Sequence, residues 1–272
     1  MAPPGAGAFR TVTFLNEQTG FGADEQGAVW ASIDGGRSWL IRSENGRGIL
    51  DHPLQIEFLD DWHGWALTEF GVWRTEDGGA TWRGSSLQYP DGPARGARLH
   101  FNSLESGGIS DFHGAIQRTE DGGKTWTWHL VAPSKAAIPG LFFTDQETGW
   151  LCTEAGEIYR SVDSGATWEP QRGPIIRAAS FGSIQFISNL EGWVCGAQKT
   201  GTKVGAWDDY KGILLHTMDG GQSWERIDVE SEDFPATIAF TDSKVGWGAN
   251  DPGIFITDDG GVSWKRVLSF SK

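Results

Sequence analysis

The sequence predicts an all-β protein, a six-bladed β-propeller whose blades are four-stranded antiparallel sheets. The first observation is an octet, Ser/Thr-x-Asp-x-Gly-x-Ser/Thr-Trp, that recurs six times; its aspartates are Asp34, Asp77, Asp121, Asp163, Asp219 and Asp259. The second is their spacing, about 43 residues in four of the five intervals, which accommodates four short strands and their turns. The third is a composition with 39 glycines, 15 tryptophans and 2 methionines, which favours turns and aromatic packing over helices.

Each repeat is predicted to supply four strands in the same order. The first strands are marked by Phe14, Phe58, Phe101, Phe143, Phe186 and Phe240. The second strands begin at Gly20, Gly64, Gly107, Gly149, Gly192 and Gly246. The third strand leads into the octet, which forms the turn to the fourth. Residues 9–272 are therefore expected to form one propeller domain behind a tail of residues 1–8, with every blade built from consecutive sequence.

The octet has the chemistry of a tight turn between antiparallel strands. Its Asp carboxylate can accept backbone N–H groups, its glycines supply positive φ angles, and its Trp can anchor the turn in the blade. These six carboxylates are thus occupied by their own turns, and a structural role is expected for them. The six histidines show no metal-ligand spacing, so neither a metal nor another cofactor is predicted.

The octet resembles the Asp-box, or bacterial neuraminidase repeat, of Asp-box propellers. Three third strands also end in Arg before the octet, at Arg74, Arg118 and Arg160, and these follow second strands that begin Gly-Trp or Gly-Gly. This combination is similar to the photosystem II stability/assembly factor family. The resemblance implies a non-enzymatic bacterial scaffold that binds a protein partner through an arginine-rich patch. It also implies an extracytoplasmic location: periplasmic, on a cell-surface lipoprotein, or secreted.

The charge excludes some classes of partner. Lys and Arg contribute 22 residues against 36 for Asp and Glu, a formal net charge of −14 that repels nucleic-acid phosphates. No apolar run approaches the length of a membrane span, and the opening residues lack an export signal. The expected partner is therefore a protein, with a glycan as a possibility, no nucleic acid and no membrane insertion. A monomer is expected.

Propeller geometry assigns the turns to two faces. The octet face carries the first-to-second and third-to-fourth strand turns, and the whole net negative charge is predicted to lie there. The connection face carries the second-to-third strand loops and the links between blades. Its predicted partner-binding arginines are Arg42, Arg47, Arg83, Arg95, Arg98, Arg172 and Arg177. Arginine is a common interface cation, although scattered solubilising side chains are the alternative.

The fifth repeat is longer than the others by about a dozen residues between Cys195 and Ile213. We interpret this insertion as a glycine-rich second-to-third strand loop on the connection face. Its predicted partner-binding residues are Lys199, Lys203, Trp207 and Tyr210. Aromatic side chains on a projecting loop favour recognition, while a neutral insertion is the alternative.

The alternative function is a glycan-active or glycan-binding propeller, either a sialidase- or glycosidase-like enzyme or a lectin. A sialidase-like enzyme needs a Tyr nucleophile activated by Glu, and the chain has only Tyr89, Tyr159 and Tyr210. Seven carboxylates are predicted to reach the connection face: Asp51, Asp91, Asp111, Glu154, Asp208, Asp209 and Asp251. No pair among them stands out, so no catalytic residue is assigned. Cys152 and Cys195, at equivalent second-strand positions, are expected to remain thiols.

Overall fold

The structure, a computed structural model, describes residues 8–42, 50–69, 71–85, 87, 96–131, 134–171, 179–204, 207–229, 234–250 and 253–269. By its contacts the chain divides into two compact units. One comprises Met1–Asp111 with Ile116–His129, and the other comprises Phe112–Ala115 with Leu130–Lys272. The regular elements of the described residues are strands, and no helix among them has the length and hydropathy needed to cross a bilayer.

The first three sheets in chain order have four strands each. The first contains β1 (Phe9–Phe14), β2 (Gly20–Asp24), β3 (Val29–Ser32) and β4 (Leu40–Ile41). The second contains β5 (Pro53–Phe58), β6 (Gly64–Thr68), β7 (Val72–Thr75) and β8 (Arg83–Ser85). The third contains β9 (Gly96–Phe101), β10 (Gly107–Asp111), β11 (Ala115–Thr119) and β12 (Thr127–Leu130).

The last three sheets follow the same plan. The fourth contains β13 (Gly140–Phe143), β14 (Gly149–Cys152), β15 (Ile158–Ser161) and β16 (Glu169–Pro170). The fifth contains β17 (Ala179–Phe186), β18 (Gly192–Val204), β19 (Trp207–Thr217) and β20 (Glu225–Ile227). The sixth contains β21 (Thr237–Phe240), β22 (Gly246–Asn250), β23 (Gly253–Thr257) and β24 (Lys265–Ser269).

The predicted six-bladed β-propeller is confirmed. Each sheet consists of four consecutive, antiparallel strands, so every blade is built from one stretch of sequence. All six first strands end at the predicted phenylalanine, and all six second strands begin at the predicted glycine. Whether residues 9–272 behave as one domain behind a tail of residues 1–8 stays a prediction.

Aromatic stacking joins neighbouring blades within each unit. Trp65 of the second blade stacks on Phe101 of the third with ring centroids 3.7 Å apart, and Trp150 of the fourth stacks on Phe186 of the fifth at the same distance. Each phenylalanine also meets the octet Trp of its own blade edge-on, as Phe101 meets Trp126 at 6.0 Å. Because these rings are large and largely buried, they supply much of the core between blades.

The second-strand glycines are explained by the same rings. A Cβ built on Gly107 would stand 2.6 Å from the Phe101 ring of its own blade, and one on Gly192 would stand 2.5 Å from Phe186. The phenylalanine therefore lies directly on the backbone of the neighbouring strand, and a larger residue than glycine would displace it.

Glutamine side chains tie the first strands of adjacent blades together. The amide of Gln55 donates to the Leu99 carbonyl at 2.7 Å and accepts the Leu99 N–H at 2.9 Å. Gln185 makes the same pair of bonds with Phe240. One side-chain amide thus makes the two hydrogen bonds that a backbone peptide group of a neighbouring strand would otherwise make.

Cys152 and Cys195 are both buried thiols and not the halves of a disulfide, as the sequence predicts. The Cys195 thiol donates to the Ala236 carbonyl at 3.4 Å. Burial raises the pKa of Cys195 to about 12. The thiol is therefore protonated at neutral pH and has the character of a small core side chain.

Candidate functional site

The six octet aspartates hold their own turns, as predicted. In the third blade, Asp121 Oδ1 accepts the Thr125 N–H at 2.9 Å and Oδ2 accepts the Thr125 hydroxyl at 2.6 Å. The Thr119 hydroxyl donates to Asp121 Oδ1 at 2.8 Å and accepts the N–H of Gly123. The turn also bonds back to the first-to-second strand turn, where Gly122 N–H donates to the Glu105 carbonyl. Both turns of the blade therefore lie on one face.

These hydrogen bonds keep the octet carboxylates ionised. In the first blade, bonds from the hydroxyl and backbone of Ser38 and from the Ser32 hydroxyl lower the pKa of Asp34 to about 2. At Asp121, partial burial acts to raise the pKa, but the bonds from Thr125 and Thr119 outweigh it and the pKa is lowered. In the described residues, no group of three or more His, Cys, Asp or Glu side chains is arranged to hold a metal ion.

Two predicted partner-binding arginines, Arg42 and Arg83, lie elsewhere than in the predicted connecting segments of the connection face. The guanidinium of Arg42 donates to the carbonyls of Gly78 at 3.1 Å and Asp77 at 3.4 Å, which belong to the octet of the next blade. Arg83 is not in a connecting segment: it opens the outer strand β8 beside Arg74, directly after the octet. The Arg42 side chain therefore lies at an octet turn, because an arginine reaches far along the blade edge. Arg83 directly follows an octet in the chain because the fourth strand starts there.

Arg98 also lies in a blade and not in a loop. It belongs to the inner strand β9, opposite Ser110, and its side chain is half-buried. Four other predicted arginines lie outside the described residues: Arg47, Arg95, Arg172 and Arg177. The arginine patch is thus not brought together by the described residues, and its role in binding stays a prediction.

The insertion of the fifth blade is a β-hairpin, and its interpretation as a loop was wrong. Strands β18 and β19 continue past the blade, with Lys199 opposite Tyr210 and Val204 opposite Trp207. Tyr210 is 58% exposed. The backbone of Lys203 and Trp207 belongs to these strands, while their side chains lie outside the described part. Pairing between the two arms stabilises strand structure that the glycine-rich sequence alone does not indicate.

A cleft of about 370 Å³ lies at the base of this hairpin. We call it the base cleft. Its apolar walls include Phe181, Phe234 and Pro235, and its charged rim includes Glu154 and Lys211. Phe181 and Pro235 are buried, whereas Glu154 and Lys211 are exposed. The base cleft therefore combines an apolar interior with one charge of each sign at its edge.

Most residues of the base cleft were missed in the sequence. Tyr210 was predicted, and Glu154 was considered only as one of seven carboxylates. Phe234 and Pro235 come from the link between the fifth and sixth blades, and Phe181 is the third residue of the inner strand β17. The adjacent Phe-Pro pair in a linking segment is the signal that points to an apolar surface there.

A second cavity, of about 430 Å³, lies on the octet face between the second and third blades. Its lining is polar and includes Arg74, Glu105 and Lys124. Arg74 pairs with Glu76, and Arg118 pairs with Glu120 at 2.6 Å. Two of the three Arg residues before an octet thus pair with the acidic residue two positions later, and the cavity is a crevice between hydrogen-bonded turns.

The carboxylates and tyrosines considered for glycan chemistry are scattered. Asp111 is buried, while Asp51 is exposed beside His52. Tyr159 is buried, and its pKa is raised by burial and by the charge and hydrogen bonding of Glu157. A raised pKa disfavours the phenolate that a nucleophile needs. Tyr89, Asp91 and Asp251 lie outside the described residues, as do the side chains of Asp208 and Asp209.

Comparison with known families gives a match over most of the chain. A family model described as Photosynthesis system II assembly factor YCF48 matches residues 48–171 and 128–270. Photosystem II stability/assembly factor HCF136, chloroplastic, from Arabidopsis thaliana is 32% identical over 92 residues, which cover 32% of this chain and 19% of that protein. The aligned segment thus spans about a fifth of the length of this curated relative.

Solved structures share the fold at low sequence identity. The structure of YCF48 bound to D1 peptide matches with a TM-score of 0.69 and 20% identity, covering 98% of this chain and 84% of that one. The crystal structure of an ancestral GH74 enzyme matches with a TM-score of 0.71 and 14% identity, covering 99% of this chain and 40% of that one. At these identities the likeness establishes the propeller fold alone.

Proposed function

The chain belongs to the family described as Photosynthesis system II assembly factor YCF48, and from that premise we propose that it is a non-enzymatic scaffold that binds a protein partner. The family match supports an assembly role over a catalytic one. We also propose an extracytoplasmic location, which rests on the family resemblance. The partner would be a subunit of a larger assembly, held while that assembly forms.

The observation that carries this proposal is the long hairpin with the base cleft beneath it. The other described second and third strands have four or five residues each, but β18 has 13 and β19 has 11. A rigid blade thus presents an arm with an exposed Tyr210 next to an apolar cleft. Recognition elements grafted on a stable scaffold have this arrangement.

The peptide-bound relative supports the same function by analogy. Its structure is that of YCF48 with a D1 peptide, so a propeller of this fold can bind a polypeptide segment. We therefore propose that the partner of this chain is engaged through a polypeptide segment on its surface.

The glycan-active alternative has less support. The GH74 neighbours share the fold at 12–14% identity, and fold alone does not carry an activity. Tyr159 is buried against Glu157 with a raised pKa, which favours a packing role over that of a nucleophile. A glycan array with a turnover assay on polysaccharides tests this alternative directly.

The proposed function is tested by affinity purification with the tagged full chain and chemical cross-linking. We expect one partner to be enriched, and its cross-links to fall on lysines of the hairpin such as Lys211. The control is Lys244→Arg, which removes a reactive amine from the octet face. It should leave the cross-links to the partner unchanged. Cleavage of a polysaccharide, or glycan binding without a protein partner, would contradict the proposal.

A further inference from the structure

Within the described part of the chain, one edge of the hairpin has no partner strand. Strand β19 pairs with β18 along one side as far as Trp207, but on the other side it pairs with β20 only at residues 214–216. In the part of the chain that the structure describes, no strand pairs with the other side of residues 207–211. We call this stretch the free edge. An unpaired edge presents backbone N–H and C=O groups that can accept another strand, and five residues extend over about 16 Å.

The free edge and the base cleft are continuous. Tyr210 and Lys211 belong to the free edge and also line the base cleft. Beneath them the cleft floor is backbone, because Gly182, Gly196 and Gly212 line it. A Cβ on Gly212 would stand 2.4 Å from the Phe234 ring. The apolar wall therefore touches the strand directly, and a side chain from a strand added to the free edge would meet it.

The chemistry of the rim indicates what such a strand carries. Alternate residues of an extended segment point to the same face, about 7 Å apart. One apolar side chain in the base cleft would contact Phe181, Phe234 and Pro235. Of the two rim charges, Lys211 belongs to the free edge itself, whereas Glu154 belongs to the fourth blade. The neighbours of the apolar side chain would therefore lie beside Lys211, whose exposed ammonium complements a carboxylate. An Asp or Glu within two residues of the apolar side chain satisfies both requirements.

We infer that the partner is recognised by β-strand addition: an extended segment of the partner protein pairs with the free edge of β19 and places an apolar side chain in the base cleft. The inference rests on the proposed function and adds the mode of recognition and the class of segment. Backbone pairing supplies affinity without regard to sequence, and the cleft with Lys211 supplies the preference for an apolar residue beside an acidic one.

The test uses the full chain and a phage-displayed library of random 12-residue peptides as the probe. Selected peptides should share an apolar residue within two positions of Asp or Glu. Their synthetic versions should bind Ala197→Phe at least tenfold more weakly, because Ala197 lines the base cleft and the new ring fills it. Lys211→Glu should weaken binding several-fold, with recovery when the peptide acid is changed to Lys. The matched control Lys265→Glu, on the outer strand of the sixth blade, should leave affinity unchanged.

Hydrogen exchange gives a second readout on the unmodified chain. Peptide binding should slow amide exchange within residues 207–211, because the added strand forms hydrogen bonds there. Peptides that bind and protect the octet turns instead would overturn the inference while leaving the proposed function intact. Protection of residues 207–211 in the absence of peptide, together with dimerisation, would assign the free edge to a second copy of this chain. Failure of the chain to bind any peptide or protein would remove the proposed function as well.

Discussion

The indole of Trp65 stacks on the ring of Phe101 with centroids 3.7 Å apart and an interplanar angle of 9°. Its N–H donates to the Gly122 carbonyl at 2.9 Å. One second-strand side chain therefore packs against the core of the next blade and also forms a hydrogen bond to its octet turn. Trp150 repeats this geometry with Phe186 and with the Gly220 carbonyl, at 3.3 Å.

Replacing Trp65 should separate its two contributions. Trp65→Phe keeps an aromatic ring but loses the indole N–H, so we expect a loss of about 1–2 kcal/mol in the free energy of unfolding. Trp65→Ala also removes the stack and leaves a cavity, which costs about 3–5 kcal/mol. Urea unfolding followed by circular dichroism measures both. Trp62→Ala, at a 59% exposed site, is the control and should change little; equal losses at Trp62 and Trp65 would contradict this account.

The fourth octet has one residue that the fold disfavours. Ser164 adopts a φ of 62°, whereas the five equivalent positions are glycines with φ between 67° and 75°. A non-glycine residue in this left-handed region carries strain, so Ser164→Gly should stabilise the protein by up to about 1 kcal/mol.

The reciprocal change controls for the loss of the serine side chain. Gly122→Ser places a Cβ 2.7 Å from the Leu104 carbonyl oxygen in addition to the φ strain. It should lower the thermal unfolding midpoint, while Ser164→Gly raises it. A drop for both variants would show that the Ser164 side chain contributes more than its backbone strain costs.

The blades could be predicted from sequence because the same residue types recur at the same positions of every repeat. The glycine that begins each second strand and the phenylalanine that ends each first strand recur at fixed distances from an octet Asp. Their contact is made between adjacent strands of one blade. A periodic pattern reports such contacts reliably, since every copy has the same environment.

The surface could be predicted less well because its contacts join distant residues. Arg42 bonds to Gly78, which is 36 positions away in another blade, and no local pattern indicates that choice. The insertion was predicted as a loop from its glycines, but strand pairing between Lys199 and Tyr210 decides its structure. Phe181, in β17, and Phe234, in a linking segment, line one cleft although 53 positions separate them in the chain.

The octet carboxylates should make the protein sensitive to acid. Their pKa values are lowered in the folded state, to about 2 for Asp34, so the unfolded chain binds protons more readily as the pH falls. The stability that they contribute is present above the ordinary Asp pKa near 4 and is lost progressively between about pH 5 and pH 2. Unfolding measured from pH 7 to pH 2 should show this decline.

A single octet variant tests the cause of that decline. Asp121→Ala removes the acceptor of the Thr119 and Thr125 bonds, and should cost about 1–2 kcal/mol at pH 7. It should also make stability depend less on pH below 5. Asp258→Ala, at the exposed second position of the last octet, is the matched control. An unchanged acid dependence in Asp121→Ala would show that other carboxylates govern it.

Cys195 should be unreactive until the blade opens. Burial raises the pKa of its thiol to about 12, so almost no thiolate is present at pH 8, and the sulfur has no access to solvent. In a Cys152→Ala background, iodoacetamide should modify Cys195 at the rate of unfolding and react promptly in urea. Ala155→Cys, in an exposed turn, provides the reactive comparison. Fast labelling of the native chain would contradict the buried placement.

Partner binding should depend on the hairpin more than on the predicted arginines. Removing residues 199–211 deletes Tyr210 and Lys211 from the base cleft, and should abolish partner pull-down while leaving the thermal unfolding midpoint of the blades nearly unchanged. Reversing Arg95, Arg172 and Arg177 to Glu tests the predicted patch separately, without Arg98, which is half-buried in the inner strand β9. If it contributes by attracting an acidic surface, the reversal should slow association, and the effect should shrink as salt rises.

Variants of Arg42 and of acidic residues on the octet face serve as controls for the hairpin deletion, because these residues lie at the turns of the octet face. Arg42→Glu breaks the bonds to Gly78 and Asp77, so it should lower stability without changing partner affinity. Neutralising Asp60, Asp61, Asp145 and Glu147 on the octet face should likewise leave pull-down intact. The opposite pattern, with binding that survives the hairpin deletion and fails when these acids are neutralised, would place the binding site on the octet face. Surface plasmon resonance on the purified partner distinguishes the two patterns, because a lost contact raises the dissociation rate whereas a lost attraction lowers the association rate.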